Sequence, residues 1–174
     1  MTQSENGKPK ESLRCWNDLT SYTDLIKKID RAEQRIDHFK ETMYDPKTAS
    51  YSDMPKTSGD GMSRQERAVM RLSDMESRLQ ELADKEGELY KRIDDAIQEM
   101  SAELGALLAF KYLDGMKWDA VAWELYGDEP EYYDKEERYL KRVFRNHRNA
   151  LEELEGIYDE IYPIIEKEAS QAPE

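Results

Sequence analysis

From Asp18 the apolar residues fall at Tyr22, Leu25, Ile29, Ala32, Ile36, Phe39 and Met43, an alternation of three and four that predicts a helix with a coiled-coil seam. The rhythm stops where Pro46, Pro55, Gly59 and Gly61 stand among serine, threonine and aspartate, so residues 44–62 read as a loop. It resumes at Leu72, Met75, Leu79, Leu82, Leu89, Ile93, Ala96 and Met100, interrupted only at Glu86. Ser63 with Glu66 three residues on has the spacing of a capping box that opens this second helix. Two heptad helices joined by one loop bury their seams most simply as an antiparallel hairpin. Pairing with a second chain, a homodimer through the hairpin, needs the same residues, so both arrangements stay open.

After Met100 the heptad gives way to shorter patterns. Leu104, Leu107, Leu108 and Phe110–Leu113 form a dense apolar helix closed by Asp114-Gly115, the glycine supplying the left-handed conformation of such an end. Trp118, Val121, Ala122 and Leu125 mark a second short helix ending near Gly127. A third, from about Asp134, places Leu140, Val143, His147, Ala150, Leu151 and Leu154 on one face and continues through Ile157 and Ile161. The expected fold is all-α: a tail over residues 1–17, a helical hairpin over 18–100, a trihelical helix-turn-helix unit over 101–167, and a flexible tail over 168–174.

Composition supports helices over sheets, with only 8 glycines and 6 prolines in a chain whose charged fraction is 37%. The net charge of −13 argues against indiscriminate binding of nucleic acid or anionic membrane by the whole molecule. Against that background the stretch from Arg138 to Ala150 carries Arg138, Lys141, Arg142, Arg145 and Arg148 and no carboxylate. Their spacing gathers them on one side of the third helix, opposite Leu140, Val143, His147 and Leu151. A phosphate backbone is the chemistry such a patch suits; a solvated face paired with the many glutamates is the plainer alternative.

Three segments resemble the phage and prophage transcriptional regulators of the ArpU and RinA type, whose C-terminal half is similar to region four of bacterial sigma factors. They are Ser52–Lys56, Tyr112–Ala122 across the first turn, and Val143–Leu151 in the would-be recognition helix. The resemblance runs from about Leu19 to Leu154. It implies a regulator that binds double-stranded DNA through Arg138, Lys141, Arg142, Arg145 and Arg148, with bacterial RNA polymerase as a partner. Gly127–Glu137 departs from that pattern, because a helix-turn-helix joins its two key helices by roughly three or four residues. This acidic insertion, centred on residues 128–137, sits where the recognition helix meets base edges. A protein-interaction module whose helix-turn-helix no longer touches DNA is therefore the second reading, and a packaging or assembly factor a third.

Other chemistry is thinly represented. One cysteine and two histidines, His38 and His147, do not make a zinc site, and phosphate-cradling glycine loops and nucleophile elbows are absent. No catalytic residue, cofactor or small-molecule ligand is expected. His147 and Trp118 fall in register with the apolar face and read as packing residues, Trp123 lies on the opposite side of its helix, and Tyr132-Tyr133 read as pins for the insertion. The polar stretch Met1–Ser12 lacks the apolar run of a secretory signal, and no segment is long and apolar enough for a bilayer, so a cytoplasmic protein of a bacterial host is expected.

Overall fold

The computed structural model describes residues 13–44 and 62–163, and over them the protein is all-α. The helices are α1 (Arg14–Tyr44), α2 (Arg64–Gln98), α3 (Ala102–Leu108), α4 (Trp118–Tyr126) and α5 (Glu136–Ile161). The expected loop lies outside the described residues except at its two ends, as do the segment Ser52–Lys56 and the tail over 168–174. The chain divides into two compact units, one from Met1–Thr23 with Leu89–Glu174 and one from Asp24–Glu88.

The boundary between units departs from the expected one. Residues 18–100 do not stand apart from 101–167, because the start of α1 and the end of α2 belong to the same unit as α3, α4 and α5. Nor does the N-terminal tail reach residue 17: α1 begins at Arg14, with Leu13 and Cys15 buried. The cause is a long-range cap. The amides of Arg14 and Cys15, two of the orphan donors at a helix start, donate to the Glu155 carboxylate on α5 at 3.1 and 2.9 Å. The Arg14 guanidinium adds bonds to Asp159 (2.6 Å) and to the Tyr162 carbonyl (2.7 Å).

The core of this first unit gathers around α5, whose Val143, His147, Ala150, Leu151, Leu154 and Tyr158 are buried at helical spacing. α3 and α4 pack on that face, bringing Leu107, Leu108, Val121 and Ala122. Leu19 from α1 and Ile93, Ala96 and Ile97 from α2 complete it. At Gly105 a side chain has little room, since a Cβ there would lie 3.1 Å from the Ile97 carbonyl oxygen, and glycine lets α3 close against the end of α2. α3, α4 and α5 thus share a core that also draws on the first two helices.

In the second unit α1 and α2 meet through an ion pair between Lys40 and Glu76 at 2.9 Å and through Arg71 over the Phe39 ring at 5.3 Å. Leu25 and Ile36 are buried there, while Ile29, Ala32, Leu72, Met75, Leu79 and Leu82 are half-buried. The Ser63–Glu66 capping box forms as spaced: the Glu66 amide donates to Ser63 Oγ at 3.1 Å and the Ser63 amide to Glu66 Oε2 at 2.6 Å. The Ser63 amide and, after it, the Ser63 hydroxyl hold the Glu66 carboxyl below its ordinary pKa.

Candidate nucleic-acid interface

The frame of the site is the turn between α3 and α4. Beyond Leu108 the helix widens into a π-helical turn over Ala109–Leu113, and the Asp114 amide reaches back to the Ala109 carbonyl at 3.0 Å. Gly115 follows at φ +69°, the left-handed geometry its position in the sequence calls for. Lys111 Nζ donates to the Met116 carbonyl at 2.8 Å and lies 4.8 Å over the Trp118 ring. Trp118 in turn sets its edge on His147 and Phe144 of α5, at centroid distances of 5.0 and 5.3 Å.

His147 is the buried end of this chain of contacts. Its Nε2 lies 2.9 Å from the Tyr112 hydroxyl, and Trp16 of α1 packs edge-on against both rings. Burial raises the Tyr112 hydroxyl pKa. The histidine and Trp118 therefore fix the turn to the middle of α5, in agreement with their apolar register in the sequence. Trp123 is 51% exposed.

The insertion between α4 and α5 is held by a row of tyrosine rings in tilted contact. Tyr132, buried, lies 5.3 Å from Tyr139, and Tyr139 lies 5.4 Å from Tyr126. Tyr132 is thus the pin, whereas Tyr133 is 74% exposed. Tyr126 donates to Glu103 Oε1 at 2.5 Å, and Asn146 and Arg142 reach the same oxygen at 3.0 and 3.3 Å. Arg142 also lies 4.5 Å over the Tyr126 ring. Burial, then the Glu103 carboxylate, push the Tyr126 hydroxyl up to about 12.

The five predicted cations share an outward arc of about 120° on α5, but their surroundings differ. Arg138 and Arg145 are exposed and make no ion pair among the described residues. Lys141 pairs with Glu137 at 2.7 Å and Arg148 with Glu152 at 3.2 Å, both one turn away along the helix. Arg142 is turned into the Glu103 network and has a place in the fold. Arg138, Lys141, Arg142 and Arg145 line one open groove of about 1060 Å³, together with Tyr139, Asn146, Leu104, Glu103, Glu131 and Glu137. Glu131 bonds Lys135, which with a smaller share from nearby Arg138 lowers its carboxyl pKa, and Lys141 lowers that of Glu137.

Sequence reasoning missed the carboxylates that organise this face. Glu103 is one of 39 acidic residues, and nothing in its immediate neighbours marks it as the acceptor for three side chains. The same holds for Glu153, which accepts from the Ser101 amide and hydroxyl at 2.6 and 3.1 Å at the start of α3. Among the described residues no cluster of histidine, cysteine, aspartate and glutamate could hold a metal ion, and no helix is long and apolar enough to cross a membrane. No protein-family model, curated protein or solved structure matches the chain.

Proposed function

We propose that the chain is a transcriptional regulator of the phage and prophage type that binds double-stranded DNA through α5 and adjusts bacterial RNA polymerase at a promoter. The observation that carries the reading is the α5 surface itself: an outward arc of cations, two of them without ion pairs among the described residues, directly opposite the residues that anchor the helix in the core. Phosphate contacts of this kind fix a helix on the duplex, and base edges supply sequence. Arg138 and Arg145 are the foremost contacts, with Lys141 and Arg148 beside them. The turn at Gly115 and the Trp118–His147 packing support a helix-turn-helix in α3–α5. The half-buried seam of α1 and α2 is the surface we assign to homodimerisation or to polymerase, and the cytoplasm of the host cell is the compartment this role requires.

A specific observation favours a second reading, that of a protein-interaction module. Glu137, Glu103 and Glu152 hold Lys141, Arg142 and Arg148, and the chain as a whole carries −13. Fluorescence anisotropy against random duplex DNA and duplexes from the protein's own genomic neighbourhood separates the two. The regulator binds with an affinity that falls as salt rises, and Arg138→Ala and Arg145→Ala each flatten the slope of log K against log salt by about 0.9. Absence of binding at low salt, or binding indifferent to salt, refutes the DNA reading.

A further inference from the structure

The cationic arc of α5 does not face solvent bare, and the way it is covered sets how DNA would be bound. Glu137 and Lys141 are both largely exposed, as are Glu152 and Arg148, so these contacts are free to exchange with solvent ions or with a ligand. Arg142 differs, because its partner Glu103 also holds the Tyr126 hydroxyl and Asn146 and would lose them by moving. Tyr132, buried against Tyr139, keeps the acidic turn in place beside the groove, where Glu131 and Glu137 both line the wall.

We infer that Glu137 and Glu152 are built-in competitors for DNA phosphate: DNA binding exchanges these carboxylates for phosphates on Lys141 and Arg148, while Arg138 and Arg145 take phosphates with no exchange. This rests on the DNA-binding reading above. Its consequence lies in ion accounting. A cation that neutralises a phosphate releases a counterion from DNA, giving a salt slope near −0.9 per contact. Where the same cation first abandons a carboxylate, the freed carboxylate takes up a cation from solution, and the net release vanishes. The native protein therefore shows a slope of about −1.8, from two contacts rather than four. An acidic chain so equipped binds random DNA weakly, since each exchanged pair lowers low-salt affinity by up to about fivefold.

The test uses the full chain and a fluorescently labelled random-sequence duplex across a salt series. Three proteins are compared: the native chain, a Glu137→Gln/Glu152→Gln double variant, and a Glu81→Gln/Glu88→Gln control. The control makes the same change in net charge at exposed α2 residues that have no ion pair among the described residues. Exchange predicts a slope near −3.6 for the first double variant and near −1.8 for the native chain and the control, as four or two contacts require. If all three bind with one slope, or if the control steepens as much as the double variant, the exchange is overturned and DNA binding stands. If none binds at low salt, the DNA reading falls and the exchange with it.

Discussion

Replacing Leu19 by alanine tests whether the start of α1 is part of the C-terminal core. Leu19 is completely buried, in the unit that holds α3, α4 and α5, although the nearest of them begins only at Ala102. Truncation removes the transfer free energy of the lost methyl groups and leaves a cavity that close packing fills only in part. Fully buried leucine sites lose about 2–5 kcal/mol, and Leu19, with no exposed surface, belongs near the middle, about 3 kcal/mol. At roughly 2–4 °C per kcal/mol for a chain of this size, the melting temperature falls by about 6–12 °C. Urea unfolding followed by tryptophan fluorescence is the assay, because Trp16 and Trp118 both pack on His147 and report on this core. Leu79→Ala, at a half-buried seam position of the second unit, is the comparison and should cost no more than about half as much. A loss below about 1 kcal/mol at Leu19, or one equal to that at Leu79, would refute the shared core.

Two further outcomes follow from local geometry. Gly115→Ala places a Cβ in the left-handed region, where no neighbour lies within 4 Å, so the penalty is conformational alone: about 1 kcal/mol by urea unfolding, with Gly115→Asn costing less. Because the Tyr126 hydroxyl has its pKa raised from 10.0 to about 12, the unfolded chain ionises first on alkaline titration. Its contribution to stability is complete below pH 10 and is lost as the pH rises through about 12, so Tyr126→Phe should show a shallower decline over that range in stability measured against pH.

Much of this molecule was legible because the governing rules are local. The heptads announce α1 and α2, the Ser63–Glu66 spacing gives the capping box of α2, and Asp114-Gly115 gives a left-handed glycine, each depending on residues within one or two helical turns. The arc of cations on α5 and the inward register of His147 follow from helical periodicity in the same way. The π-helical turn at Ala109–Leu113 carries no such local mark, and a regular α-helix is what its apolar residues spell out.

What periodicity does not carry is the identity of a partner far along the chain. Cys15 and Leu13 follow a polar stretch and look peripheral, until Glu155, from the far end of the sequence, caps the helix they begin. The five cations look equivalent in sequence, yet Glu103 draws Arg142 into the fold, while Arg138 and Arg145 make no ion pair among the described residues. By itself, then, the sequence determined the helices, their apolar faces and the side of α5 that bears positive charge, since each is set by backbone geometry repeating every few residues. Only tertiary structure decided which helix ends share a core and which charges are paired, because any of many glutamates satisfies the same local chemistry and three-dimensional proximity alone selects among them.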